Sequence, residues 1–496
     1  MMNASNSTSD FEIQLEEYLF MKDCHHRCCI CGVILTSSSV VIPSSARIDL
    51  LVDHHLYVNY DTRVCDKHLC KNRLSTNISI NKKTCDPLSL DGGNLKSLIL
   101  DLISNIRELG VQHLSRSEAL KHQTPYTKTF FGDNVALILD GTYFYIHKSQ
   151  HHQYNRDTYS GKKKRHLVKT LSVLFPDGYA VDCLGPFPAN ANDAKITESI
   201  LQLNNTFQYW CEDGDVAIVD RAFRDVIESL EENGFDVRMP SFLPPKQKQL
   251  TTKEANSTRL ITKNRWVVEA YHAQLKDWSL LSERIHNSLI PNIHDYARIT
   301  TAALNAFRKP IFFTDDPSEH QQIAKLMLEL STTKNNLQKL IEKGTLNTRS
   351  KWKDIDSSLI RFPTLTKDQL LYLFFRSYQI KQSSVYAQQH LGPDGDFILQ
   401  TNANHPHILR CRLHSQFSRK DEYFCWIEFD PNYTIPVEDP FDTIKSSFCR
   451  CRAGGRTIGH CGHAAALIYH LSYARHQDTI PLKQSNYFHD LLLPPV

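Results

Sequence analysis

The chain has 496 residues, 41% of them hydrophobic and 10% aromatic, and a formal net charge of +3. That length exceeds what one hydrophobic core usually serves, so several domains are expected. No apolar run reaches the roughly 18 residues a membrane helix needs, and the polar, acidic opening MMNASNSTSDFEIQLEEYLF lacks the basic and apolar regions of a secretory signal. With so little net charge, any contact with nucleic acid has to come from local basic patches.

The 14 cysteines are unevenly spread. Cys24, Cys28, Cys29, Cys31, Cys65, Cys70 and Cys85 lie near the start, and Cys411, Cys425, Cys449, Cys451 and Cys461 near the end, with Cys183 and Cys211 between them. Without a secretory signal, such clusters favour metal sites over disulfides. The expected order is a polar tail (1–20), a Cys/His module (21–90), a helical linker (91–130), an α/β domain (131–308), a second helical linker (309–365), a C-terminal domain (366–480) and a tail (481–496). In the first module, Cys28-x2-Cys31-Gly32 and Cys65-x2-His68 are paired short spacings that suit tetrahedral zinc. Cys24, His25, Cys29 and Cys70 remain alternative ligands. A metal would hold together a segment too small to fold on core burial alone. Beyond it, LKSLILDLISNIRE (95–108) has apolar residues at helical spacing before Gly110, and no helix-turn-helix pattern stands out over 95–130.

In the central domain VALILD (135–140) is a buried-type strand ending in an acid, and TYFYIHK continues it after Gly141. HLVKTLSVLF (166–175) and YAVDCL (179–184) flank the turn Pro176-Asp177-Gly178, a hairpin signal. Asn192-Asp193 can cap a helix over AKITESILQLN. DVAIVD (215–220) is a second strand ending in an acid, AFRDVIESLEENG (222–234) is helical, and NRWVVEAYHAQLKDWSLL (264–281) has helical periodicity. Three strands, helix, strand, helix and a later helix is the order of an RNase H-like fold.

Asp140 and Asp220 therefore stand where strands run out into a crevice, and Glu269 stands on a helix one turn after Arg265. Three converging carboxylates repel one another unless divalent cations neutralise them. Two Mg²⁺ or Mn²⁺ ions would suit such all-oxygen ligands and phosphodiester chemistry. Taken alone, Arg265 and Glu269 could equally be a surface ion pair of little worth. Two stretches are rich in basic residues. From Tyr143 to Lys169, Lys148, Arg156, Lys162, Lys163, Lys164, Arg165 and Lys169 face a single acid, Asp157, with tyrosines between them; Lys246, Lys248, Lys253, Arg259 and Lys263 follow later. Such stripes fit phosphate backbones, though Lys162–Arg165 could also be a solvated loop or a nuclear address.

The blocks LILDGT, YSGKKKRHLVKTLSVLFPDGYAVDCLGPFPANANDAKI, GDVAIVDRAF and LTTKEANSTRLITKNRWVVEAYHAQLKDWSLL resemble, in order, the catalytic domain of Harbinger-type DDE transposases over about 131–290. The resemblance implies that Asp140, Asp220 and Glu269 are the metal-binding acids, with Asp193 and Arg265 as supporting residues. It further implies cutting and joining of double-stranded DNA at element inverted repeats, a homo-oligomer, a second element-encoded DNA-binding protein and a nuclear location. Two positions depart from the family pattern: Ala189-Asn190-Ala191-Asn192 lacks the usual Gly and Ser, and Ala222 replaces a Gly. A domesticated copy that binds DNA or chromatin without cutting is the alternative. Near the C-terminus, FCRCRAGGRTIGHCGHAAALIYHL resembles a SWIM zinc finger, which assigns zinc to Cys449, Cys451, Cys461 and His463. No membrane partner is expected.

Overall fold

The computed structural model describes residues 13–21, 26–35, 38–70, 72–75, 78–80, 85–90, 114–203, 211–346, 348–375, 379–392, 395–415 and 421–477. The helix expected over 95–108 lies outside them, as do Cys24 and His25. The chain divides into two compact units, Met1–Arg238 with Asn264–Ser318, and Met239–Lys263 with Glu319–Val496. No helix among the described residues is long and apolar enough to cross a membrane.

The first unit opens with the Cys/His module. Its strand Ile13–Met21 pairs with Leu56–Tyr57 and Cys85–Leu90, and Ser39–Val41 pairs with Arg63–Cys65. Helix Ser44–His54 buries Asp49, whose carboxylate meets Arg73 at 2.5 Å and accepts from the Leu74 amide at 2.9 Å. A buried carboxylate needs such partners.

The larger part of this unit is built on a central sheet. It contains β1 (Ala136–Tyr145), β2 (Arg165–Leu174), β3 (Ala180–Pro188), β4 (Val216–Ile218) and β5 (Asp236–Arg238) in the order β3-β2-β1-β4-β5. The first three pair antiparallel, while β4 runs parallel to both β1 and β5. Val135 to Leu139 are almost fully buried, as expected of a central strand covered on both faces. At the expected hairpin, Gly178 takes φ +93°, and a Cβ there would come 2.7 Å from Ile311, so the turn requires glycine. Helices α1 (Asp193–Leu203), α2 (Ile227–Glu232), α3 (Thr252–Lys276) and α4 (Ile293–Phe307) follow the strands. Asn305 of α4 bonds both the amide and the carbonyl of Ala180, and Arg298 meets Asp182 at 3.1 Å, fixing this helix to β3.

Two elements differ from expectation. α3 begins at Thr252, twelve residues before the expected start at 264. Thr251 and Glu254 form a reciprocal cap, each side chain accepting from the other's amide, and this polar start carries no apolar periodicity. The stretch 222–234 begins as a 3₁₀ turn, Arg221–Val226, because the Asp220 side chain caps it through the Ala222 amide.

The second unit comprises α5 (Pro317–Ser331), α6 (Asn336–Glu342), β6 (Trp352–Ile355), α7 (Lys367–Leu373), α8 (Gln379–Gln388), β7 (Leu399–Asn402), β8 (His405–His414), β9 (Glu422–Phe429), β10 (Ile444–Cys449) and α9 (Gly462–Ser472). Its five strands form one antiparallel sheet in chain order. Leu409, Leu413, Cys425 and Ile427 of the sheet pack with Leu467, Ile468 and Leu471 of α9 in the core. Residues expected to form the linker 309–365 supply the edge strand β6, which Trp352 anchors by burial and an indole bond to the Leu346 carbonyl at 2.8 Å. The stretch TKDQLLYLFFRSYQIKQSSVYAQQHL holds two helices: α7 ends at Leu373, and Phe375 turns the chain at φ +55° before α8.

Candidate functional site: carboxylates of the central sheet and two Cys3His clusters

Asp140 lies in β1 at the point where the strand leaves the core, opposite Ser172 of β2. One carboxylate oxygen accepts from the Gly141 amide at 3.0 Å, and the other lies 3.4 Å from the Arg265 guanidinium of α3. Burial, the largest influence, with Asp220 and Asp193 adding to it and Arg265 opposing it, leaves the Asp140 carboxyl raised to about 7. Those two acids therefore belong to the same electrostatic neighbourhood. Asp193, the first residue of α1, sits so close to Gly141 that a Cβ on that glycine would come 2.8 Å from its Oδ1. Its carboxylate also lies 3.5 Å from Lys169 Nζ, which donates to the Ala191 carbonyl at 2.6 Å. Beside them, His272 of α3 reaches Ser172 Oγ at 3.1 Å, and burial holds its imidazole down to about 3, so it is neutral at physiological pH.

Glu269 has an exposed side chain, and it is not among the largest influences on Asp140. Among the described residues, the sets of three or more metal-capable side chains with donor atoms within 4.8 Å of one another are two Cys3His clusters, and the carboxylates form no such set. The backbone nevertheless puts Glu269 on the helix flank that carries Arg265 and His272, since four residues advance about 40° around an α-helix and seven about −20°.

Residues 139–305 match the family model described as DDE superfamily endonuclease. The match covers about a third of the chain and includes Asp140, Asp193, Asp220, Arg265 and Glu269. Comparisons of the chain with curated proteins and with solved structures returned no match. The DDE endonuclease-like domain, a mixed α/β unit, supports a nuclease- or transposase-type function, a divalent-metal requirement and DNA as substrate.

A basic surface belongs to the same DDE endonuclease-like domain. Tyr159–Ser160 pairs with Arg165–His166, which makes a hairpin whose exposed tip is Gly161-Lys162-Lys163-Lys164. Lys163 Nζ lies 4.8 Å and Lys276 Nζ 4.2 Å from the Tyr143 ring centre, and the Arg165 guanidinium lies 5.2 Å from that of Tyr145. These cation–aromatic contacts hold the cations in place while leaving them open to an anion. Lys276 does not stand out in the sequence because it sits alone at a helix end, far from the lysine run. Lys246 and Lys248 are exposed and Arg259 is partly exposed, but all three belong to the other unit.

Each Cys3His cluster is built by backbone turns. At the first, the Gly32 amide bonds the Cys28 carbonyl at 2.9 Å, with Gly32 at φ +70°, and the amides of Ile30 and Cys65 donate to Cys28 Sγ at 3.4 Å. A hydrogen bond from the Cys29 thiol, with these amides, holds the Cys28 thiol down to about 3, as befits a thiolate ligand. Cys29 is thus a supporting neighbour, while Cys31, Cys65 and His68 complete the cluster. Cys70 lies elsewhere, its thiol 3.6 Å from the Thr314 carbonyl.

At the second cluster, Cys449 ends β10, and Cys451 follows in a turn. Cys461 caps α9 by accepting from the Ala464 amide at 3.5 Å, and His463 lies in the helix's first turn. A Cβ on Gly454 would lie 2.0 Å from the Cys449 carbonyl oxygen, so this tight loop admits only glycine there. Gln249 closes the loop from outside by donating to the carbonyls of Cys449 (2.6 Å) and Cys451 (2.7 Å). Nothing in the sequence pattern singles out Gln249, two hundred residues away. In both clusters the histidine Nε2 (His68, His463) is buried without a hydrogen-bond partner. Three thiols and an imidazole within 4.8 Å form the donor set of a structural zinc site, so both clusters can hold zinc.

Proposed function

We propose that the chain is a DNA transposase whose RNase H-like domain cleaves and joins DNA through Asp140, Asp220 and Glu269. The reading is carried by Asp140: a partly buried carboxylate pushed up to about 7 beside Asp193 and Asp220, inside the stretch similar to DDE superfamily endonucleases. A partly buried acid crowded by two others is held ionised by a cation, and Arg265 provides only part of that charge. The strand order β3-β2-β1-β4-β5 with antiparallel β2, and the Harbinger-type motif blocks, support the finer assignment. Two Mg²⁺ or Mn²⁺ ions held by the three acids would activate the attacking oxygen and stabilise the leaving one. Arg265 would orient Asp140, and Lys169 would hold Asp193 at the edge of the site. Glu269 would join by a side-chain rotation on its helix flank. Lys162, Lys163, Lys164 and Arg165 would contact duplex phosphates, and the SWIM-like C-terminal cluster and the N-terminal zinc module would help to recognise element ends. A nuclear site of action, a homo-oligomer and a second element-encoded DNA-binding protein belong to the same reading.

That the carboxylates form no set of three within 4.8 Å among the described residues favours a second reading, a domesticated protein that binds DNA without cutting it. One assay separates the two: nicking and strand transfer on terminal-repeat DNA with Mg²⁺ or Mn²⁺. Asp140→Ala and Glu269→Ala should each lower the rate at least about 1,000-fold, in line with the loss of electrostatic stabilisation worth about 4 kcal/mol. Cleavage that survives both substitutions overturns the first reading. Tight binding by a wild-type chain that never cleaves establishes the second.

A further inference from the structure

The sheet of the second unit has one face against α9 and another that, among the described residues, carries buried aromatic side chains and the exposed Arg412 and Arg450. On that second face Arg410 and Arg412 of β8 stand opposite Trp426 and Phe424 of β9. Leu337 and Ile341 of α6, with Leu346, cover one end by packing on Trp352, Ile408, Trp426 and Phe448. Arginines lie over the aromatic rings of this same face. The Arg410 guanidinium is 4.2 Å from the ring centre of Trp352 and 4.8 Å from that of Phe424; Arg412 is 4.8 Å from Phe424, and Arg450 is 5.5 Å from Trp426. Arg410 bonds the neutral amide oxygen of Gln400 through Nε and Nη2, and Arg412 meets Glu422 at 3.3 Å. Burial and three neighbouring arginines, Arg412, Arg450 and Arg349, all push the Arg410 guanidinium in the neutral direction. Like charges held together on a rigid aromatic floor call for an anion.

We propose that this arginine-bearing face of the sheet binds the sugar–phosphate backbone of duplex DNA, beside the C-terminal Cys3His cluster, where Arg450 stands between Cys449 and Cys451. A guanidinium held over a ring keeps N–H groups for phosphate oxygens, and the contact has already removed some of the side chain's freedom. Backbone contacts of this kind position a protein on DNA without reading its sequence. The choice of duplex DNA as the polyanion rests on the transposase reading; the arginine surface itself does not.

The test is binding of the full chain to a labelled random-sequence duplex, followed by fluorescence anisotropy across a salt series, with Asp140→Ala as the background so that no cleavage intervenes. R412Q/R450Q should bind about 10-fold more weakly near 0.1 M salt, with the log–log salt slope smaller by about two. R412K/R450K keeps the charge and should keep the slope. Arg412 is 61% exposed, so R412Q alone, expected to lower the slope by about one, serves if the double variant folds poorly. An unchanged slope in both glutamine variants overturns the proposal, as does the same loss of slope in the lysine variant. An RNA duplex bound more tightly than DNA, through the same arginines, overturns the choice of DNA. Loss of cleavage by Asp140→Ala in the earlier assay is independent of all these outcomes.

Discussion

At Cys449, Cys451, Cys461 and His463 all four side chains are buried, whereas at Cys28, Cys31, Cys65 and His68 only Cys28 is. The donor sets are the same and the surroundings differ. The C-terminal cysteines are continuous with the main core of the second unit, next to Ala464, Leu467 and Ile468 of α9, and Tyr386 and Tyr423 present their edges or faces to the His463 ring at 5.4 and 5.3 Å. The N-terminal set borders a smaller apolar cluster around Ile30, Leu50, Leu56 and Val64. A metal in the C-terminal cluster would work with an extensive core; a metal in the N-terminal cluster would substitute for one. The same chemistry therefore has different consequences for access and for stability.

The largest expected effect comes from Cys461, which is both a cluster member and the cap of α9. Cys461→Ala should cost several kcal/mol, because it removes a structural zinc ligand and a cap worth about 1 kcal/mol. Zinc per chain should fall from two equivalents to one, and the second unit should lose its cooperative melting transition. Cys461→Ser keeps an acceptor for the Ala464 amide, so it isolates the metal term. A serine variant with wild-type melting and zinc content would remove zinc from this cluster.

The Cys-x2-Cys and Cys-x-His spacings disclosed both clusters because each pair is local: a turn of a few residues fixes its geometry wherever the module sits. The strands of the central sheet were legible for a similar reason, since VALIL and DVAIV are buried on both faces and read as unbroken apolar runs. Asp220 follows its strand as the pattern suggested, whereas Asp140 stands inside β1, which runs on to Tyr145. What the sequence left hidden is non-local. Gln249 acts on a loop two hundred residues later, Arg410 and Phe424 meet only across strands, and α3 starts on a polar capping box rather than on an apolar stripe. The placement of Glu269 was hidden too, because spacing along a helix fixes a residue's flank and leaves its side-chain rotamer open.

Metal removal sharpens the comparison next. A chelator such as EDTA reaches a partly exposed cluster directly, but it reaches a buried one only when the core opens. Zinc release from the full chain should therefore be biphasic, the fast phase at least about 10-fold quicker, which corresponds to an opening cost of about 1.4 kcal/mol or more. The fast phase belongs to the N-terminal cluster and should vanish in Cys28→Ser, with the slow phase unchanged. Release of both metals in one phase, or a fast phase that persists in Cys28→Ser, would show that burial does not separate the two sites.

The smallest effects concern the side chains that brace each loop from outside. Gln249 donates to two carbonyls of the C-terminal knuckle within a partly buried setting, while Arg27 Nη1 donates to the Gly32 carbonyl at 3.0 Å in an exposed one. A hydrogen bond whose loss strands a shielded carbonyl costs about 1–2 kcal/mol, whereas one that water can replace costs a few tenths. Gln249→Ala should thus lower the stability of the second unit by about 1 kcal/mol or more and quicken its slow zinc release several-fold, while Arg27→Ala should leave the fast phase within about two-fold of wild type. The measurement is the same chelator time course, run on both variants with urea melts beside it. Equal effects from the two substitutions would mean that the C-terminal knuckle is held by its thiols and its glycine alone, and that the buried setting adds nothing to its bracing.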